Sequence, residues 1–497
     1  VQMTDKLPAP MPRAPGANRI VALLAVVAIS DFLIFGQAPG LNLFLFAILV
    51  AATLLLSARR RARPLTEVLL FGLSAFAAAP LIETPSPMGV AVSLGAIMCV
   101  ALASARLVPH RLSGLPPVLF RFVLVVPLRL LQDCRKHLAS RAERSPFAAI
   151  WRNLGIWMVP LILASVFLLL FAIANPLIED ALRSIDLAFL LQFMDLWRIG
   201  FWMTTAAFVW AMLRPRLKRR TARHRAHDPA AGDIEIPFLT HASLLRSLLL
   251  FNALFAMQTL LDLVYLWGGV DLPDGMTHAE YAHRGAYPLI ATALLAAAFV
   301  LIAMRRGGPG DKSPLIRSLV HVWIGQNVLL CLSSILRLDL YVEVYSLTEL
   351  RVAAGIWMGL VAVGLVLILM RIVLRQSNQW LIATNIAVLA SVLYLSAIID
   401  FPAFIARFNV THSLELSHEG VPLDIGYLSS LGPSAIPALD LYLSALPEEA
   451  IDKKHRALSV RQSLAYDFAC RPRDWRSWSF RAERIEAYLR SPATIAR

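Results

Sequence analysis

The chain has 497 residues, of which 58% are hydrophobic and only 16% charged, with a mean hydropathy of +0.64 and a formal net charge of +14. Soluble domains carry about 25% charge, so a string of soluble domains is excluded, and the apolar residues fall in runs long enough to cross a hydrocarbon core about 30 Å thick. The basic excess abuts the ends of those runs, as in Arg59-Arg60-Arg61 and the stretch from Arg214 to Arg220; it reads as a topology signal against anionic headgroups, which makes membrane lipids the expected partner and excludes nucleic acid.

Residues 1–19 form a Pro-rich leader, and no small-residue cleavage site follows before Gln37, so the first apolar run reads as a retained anchor. Expected spans are 20–36, 41–57, 66–82, 88–105, 154–174, 198–213, 243–266, 286–304, 317–337, 352–371 and 379–400, roughly eleven in all. None alternates polarity at period two, and in lipid every backbone amide must be bonded within its own segment or barrel. The expected fold is therefore all-α, a polytopic transmembrane helical bundle forming one domain over residues 20–400. Between the fourth and fifth spans, residues 106–153 mix base and apolar side chains. Arg121, Pro127 and Arg129 interrupt the run too often for it to cross, which fits a helix lying in the interface.

Most Lys and Arg lie on alternate loops that include the leader, which places the N-terminus inside. An odd span count then places residues 401–497, expected to be a small helical segment, outside. The expected location is a bacterial inner membrane, with the C-terminus periplasmic. The stretch Arg471 to Arg481 interleaves base with Trp475, Trp478 and Phe480 and is expected to dock on the outer face.

Ionisable residues inside spans carry the functional signal, because each costs about 2.5–3.5 kcal/mol at the bilayer centre and usually faces a partner or a water-filled cavity. Asp31, Asp262 and Asp400 fall in the outer parts of their spans, and Arg337 ends the ninth span on the same side as a natural counter-charge. Asn252, Gln258, Gln326, Asn327 and Asn385 offer interhelical hydrogen bonds. The loop His278-Ala-Glu-Tyr-Ala-His283 brings two imidazoles and Glu280 together. The stretch Arg337 to Arg351 is the densest polar constellation, with a period compatible with either a strand or a helix that stacks Tyr341 and Tyr345. The candidate site is thus a polar cavity of Asp31, Asp262, His278, Glu280, His283, Arg337, Tyr341 and Arg351, against the blander reading of helix-gluing polar groups beneath an aromatic belt.

No metal or cofactor is expected. The four cysteines form no CxxC pair; the His412, Glu415, His418, Glu419 group is a weak ligand set; and no phosphate-binding loop, nucleophile elbow or dinucleotide fingerprint occurs.

Three motifs in order, Tyr281-Ala-His-Arg-Gly285, Ser334-Ile-Leu-Arg-Leu-Asp-Leu-Tyr341 with Tyr345-Ser-Leu-Thr-Glu-Leu-Arg351, and Leu423-Asp-Ile-Gly-Tyr-Leu428 with Ala435-Ile-Pro-Ala-Leu439, resemble the uncharacterised bacterial family known as domain of unknown function 4173. The resemblance spans about residues 240–445 and departs at Ser346, where Gly is expected, and at His283, where Arg is usual. It implies a multi-span membrane protein with an extracytoplasmic C-terminal segment and no established activity. The functional expectation is a transport-related or envelope scaffold or sensor component with a polar site open to the outer face and an envelope partner protein; the alternative is a membrane-embedded enzyme acting on an envelope or lipid-linked substrate at the periplasmic face.

Overall fold

A computed structural model describes residues 17–58, 64–109, 114–141, 195–215, 241–267 and 313–491, with isolated positions between 160 and 170 and between 292 and 299. The described residues form helices joined by turns, with no strand among them. Seven helices among them are long and apolar enough to cross a membrane, and Leu41–Leu56 is a shorter apolar helix. The expected spans 154–174 and 286–304 lie largely outside the described residues. The chain divides into two compact units, one of residues 1–110, 114–219 and 474–479 and the other of residues 111–113, 220–473 and 480–497.

In the first unit α1 (Ala17–Ile34), α2 (Leu41–Leu56), α3 (Pro64–Ala78) with the short α4 (Pro80–Glu83), α5 (Pro87–Ser104), α6 (Leu115–Arg141) and α7 (Leu196–Leu213) pack together. Lipid tails are as apolar as Leu, so close packing and not water exclusion must join such helices. Accordingly Ala47, Ala51, Ala77, Ala78, Ala101, Ser74 and Ser93 are buried, while Leu24, Leu65 and Leu69 face outward. Helix starts are marked by local acceptors, Ser86 Oγ from Gly89 N and Asp195 Oδ1 from Arg198 N. Helix α6, expected at the interface, packs against α7 and buries Phe122 in the shared core. Its Asp133 is buried with Arg214 and Trp210, whose nitrogens both lie 3.1 Å from Asp133 Oδ2.

The turn between α1 and α2 is closed by buried Asn42, which accepts from Gly40 N and donates to the carbonyls of Leu33 and Ala38. Against this turn lies the returning segment 474–479: Leu41 N donates to Trp478 O at 2.8 Å, and Arg476 donates to Phe32 O at 2.6 Å with its guanidinium over the Phe32 ring. A Cβ at Gly40 would stand 2.3 Å from the Ser477 carbonyl carbon. Asp474 grips Arg476 through two side-chain nitrogens, and these bonds hold its carboxyl down at about 2. Thus Trp475 and Trp478 belong to the first unit, whereas Phe480 opens a helix of the second.

The second unit holds α8 (His241–Leu261), which continues as a π-helical turn over Asp262–Trp267, then α9 (Pro314–Tyr345), α10 (Glu349–Val373) and α11 (Asn378–Ile398). Helix α9 has 32 residues and is about 48 Å long, more than a hydrocarbon core requires. Its far end therefore joins a different core. Val342 and Leu347 pack with residues of α12 (Phe401–Thr411), α14 (Ile425–Ser430), α15 (Ile436–Ala445) and α16 (Ile451–Ala469), the short α13 (Leu414–Ser417) lying between α12 and α14 and α17 (Phe480–Leu489) adding Tyr488 and Leu489. The C-terminal residues thus build their own apolar core, with Ile405, Leu428, Leu439 and Tyr442 fully buried. Glu415 sits at its edge. Burial pushes its carboxyl up, but the Lys453 ammonium at 2.9 Å and the Leu423 amide outweigh that and hold it below the usual range. Burial, reinforced by the neighbouring Glu415 carboxylate, pushes the Tyr442 phenol up to about 12.

The α9–α10 turn settles the strand-or-helix question for Arg337 to Arg351: the helix runs through Tyr345 and a new one begins at Glu349. Ser346 between them has φ +64° and ψ 169°, a conformation that glycine adopts without strain. That accounts for the glycine expected at this position and leaves the serine itself unexplained. Buried Asn409 clasps the turn by donating to Leu347 O and accepting from Leu347 N, and Tyr427 Oη accepts from Glu349 N.

Candidate functional site

Within the second unit the structure pairs Arg337 with Asp262. The guanidinium Nη2 contacts Asp262 Oδ1, and the two residues are 2% and 1% exposed. Gln258, one turn earlier on α8, donates to the same carboxylate oxygen at 3.0 Å. Asp262 is the first residue of the π-helical turn, whose last residue, Trp267, donates from Nε1 to Ser333 Oγ at 3.2 Å. Ser334 is 1% exposed and donates back to Leu330 O. The π turn widens the helix locally, a feature frequent at functional sites, and here it gives the carboxylate and the indole separate contacts with α9.

Burying two charges costs several kcal/mol per ion, and the geometry shows how that cost is offset. The charges neutralise one another, and a neutral amide shares the acceptor. On the same helix, one turn beyond Arg337, Tyr341 meets Tyr345 in a tilted ring contact with centroids 4.6 Å apart. Arg351 lies 4.7 Å and 5.8 Å from those rings and donates to the carbonyls of Tyr345 and Ser346. Two arginines and two tyrosines therefore line one stretch from the buried pair to the end of α9.

Asp31 is paired within its own unit. It belongs to the first unit and has its own counter-charge, accepting from Arg198 Nε at 2.9 Å and Nη2 at 2.5 Å and from Trp202 Nε1 at 2.8 Å. Arg198 is the third residue of α7. Asp400 plays a structural part, capping α12 through Ala403 N while accepting from Ser434 Oγ and pairing with Arg481. His278, Glu280 and His283 lie outside the described residues.

Of the span amides, Asn252 and Gln326 bond across α8 and α9, Gln258 serves Asp262, and Asn327 and Asn385 donate within their own helices. Among the described residues no group of three His, Cys, Asp or Glu could hold a metal. In the tail group, Glu415 is engaged by Lys453, and His412 stacks on Phe408 at 4.1 Å. Sequence spacing missed the Asp133–Arg214 pair and the Asp440 carboxylate, which accepts from Arg461 and Tyr488. Two open hollows occur on the tail helices. One of about 780 Å³ is lined by Glu415, His418, Asp452 and Lys453, and one of about 590 Å³ by Asp424, His455 and Arg456.

Comparison with protein families matches residues 20–442 to the family described as a domain of unknown function, DUF4153. The chain belongs to that family. The number differs from the 4173 suggested by the three motifs, and the match reaches well before residue 240, so it takes in helices of both units. What holds is the coarser statement, an uncharacterised family whose member here is a multi-pass membrane protein. Neither the curated proteins nor the solved structures gave a match.

Proposed function

We propose that this chain is a transport-related component of a bacterial inner membrane, with its N-terminus cytoplasmic. In this reading the Asp262–Arg337 pair receives a small polar solute from the periplasmic face. The observation that carries the reading is an ion pair with both members almost fully buried, set on a π-helical turn between two helices that are long and apolar enough to span the bilayer. Intramembrane charges of this kind mark solute and ion pathways more often than they serve stability, because an apolar pair of the same volume is frequently as stable or more so. The solute class follows from the pair's chemistry. A zwitterion can take the place of each partner, its carboxylate on the Arg337 fork and its ammonium on Asp262, so that no buried charge is left alone. Tyr341, Tyr345 and Arg351 would then line the approach. A scaffold or sensor role draws its support from a separate feature, the tail helices with their two surface hollows.

The test is ligand-induced stabilisation of the purified full chain in lipid nanodiscs, screened with small zwitterions, simple carboxylates and simple amines. Zwitterions should raise the unfolding midpoint saturably, the single-charge compounds should not, and Asp262→Asn/Arg337→Gln should abolish the response. A double variant that responds as the unaltered chain does, or a chain that answers to none of the three classes, would remove the site.

A further inference from the structure

A second polar cluster lies deeper along the same two helices, and the ion pair does not use it. Asn252 on α8 and Trp323, Gln326 and Asn327 on α9 fall at one helix–helix interface. Positions 323, 326 and 327 share one face of α9; Gln326 Nε2 donates to Asn252 O, and Trp323 stacks on Phe251 at 5.2 Å, next to Asn252. Asn327 is 1% and Trp323 3% exposed. Asn327 and Arg337 are ten residues apart, about 15 Å along the helix.

The amide orientations at this interface are fixed by their donors. Asn252 Nδ2 donates to the carbonyls of Leu248 and Leu319, Gln326 Nε2 to that of Asn252, and Asn327 Nδ2 to that of Trp323. Turning any carboxamide over would point its oxygen at a carbonyl. The three oxygens, Asn252 Oδ1, Gln326 Oε1 and Asn327 Oδ1, are therefore acceptors, and each is buried without a hydrogen-bond partner among the described residues. Buried acceptors in hydrocarbon are costly unless something supplies positive charge or a proton. Three neutral carboxamide oxygens suit a hard cation of single charge, since a divalent ion calls for carboxylate ligands.

We propose that the carboxamide oxygens of Asn252, Gln326 and Asn327 form an intramembrane binding site for a monovalent metal cation. Trp323 Nε1, also buried and without a partner among the described residues, donates to a water that completes the ion's shell. The rings of Phe251, Phe255 and Phe299 close around Trp323 and keep lipid from the site. His321 stands two residues before Trp323, almost opposite it around the helix, and takes no part.

The full chain, purified into nanodiscs in N-methylglucamine chloride, is titrated with sodium, potassium and lithium chloride at constant ionic strength while its unfolding midpoint is followed. One of these ions should give a saturable rise of about 3 °C at a hundredfold excess over its dissociation constant. Asn327→Leu should abolish the rise. Asn327→Asp keeps an oxygen at the site and adds a charge, and should tighten binding about tenfold; it serves also if the leucine variant fails to fold. Asp262→Asn/Arg337→Gln should leave the ion response unchanged, which separates this site from the proposed solute site. Equal midpoints in all three salts and in N-methylglucamine, meaning that only water fills the cluster, overturn the proposal, as does a rise that survives in Asn327→Leu.

Discussion

Replacing Arg337 with Leu should destabilise the folded chain by about 3–5 kcal/mol, because it leaves Asp262 as an uncompensated charge inside the membrane. Asp262→Leu should cost a comparable amount by stranding Arg337, which is 2% exposed. The double replacement should recover most of the loss, since an apolar pair of similar volume removes both desolvation penalties at once. Equilibrium unfolding of the four proteins in one detergent gives the coupling directly. A double variant as unstable as the sum of the two single ones would show that the charges do not interact. The same cycle separates function from stability: if the pair binds solute, the leucine double variant is stable and inactive.

Gly40→Ala should release the returning segment 474–479 from the first unit. The added Cβ would meet the Ser477 carbonyl carbon at 2.3 Å and its oxygen at 2.4 Å. Backbone atoms cannot swing away as a side chain tip can, so the cost falls at the upper end of overpacking, about 3 kcal/mol. Local opening should rise roughly a hundredfold, and with it the rate of tryptic cleavage after Arg476, which the bonds to Asp474 and Phe32 now hold in place. Gly72→Ala in α3 is the control, because nothing lies within 4 Å of the Cβ it would add. Equal cleavage in both variants would mean that the close approach at Gly40 does not hold the segment.

Much of this architecture was legible in the sequence for a simple reason. Spans are read from length and apolarity, and the helices at 41–56, 87–104, 349–373 and 378–398 follow their runs to within a few residues. Asp262 was legible too, because a carboxylate inside an apolar run is rare and Arg337 was the basic residue at its depth. Other parts could not be read by the same means. Arg198, at the start of a helix, looked like a boundary charge, and nothing in its spacing pointed to Asp31 on another helix 167 residues away. Asp133 was hidden among the basic residues of a segment judged by its overall amphipathicity. The clasp of Leu347 by Asn409 joins residues 62 positions apart, and its only local sign was Ser346 where glycine was expected. The amides of Asn252, Gln326 and Asn327 were visible as polar residues in spans. Whether their oxygens found partners depended on which carbonyls their nitrogens reached, a matter of packing that periodicity does not carry.

The reading of Asp262–Arg337 as a site reached from the outer face is tested most directly by thiol accessibility at Ser334. This residue is 1% exposed and lies three positions before Arg337 on the same helix face. In a background with Cys99, Cys134, Cys331 and Cys470 replaced, Ser334→Cys, closed to reagent in this arrangement, should react slowly in intact cells with a membrane-impermeant sulfonated maleimide as the site opens to admit solute. A zwitterion that stabilises the purified chain should slow that reaction. No labelling from either face of the membrane, or labelling only from the cytoplasmic face of inverted vesicles, would contradict the account.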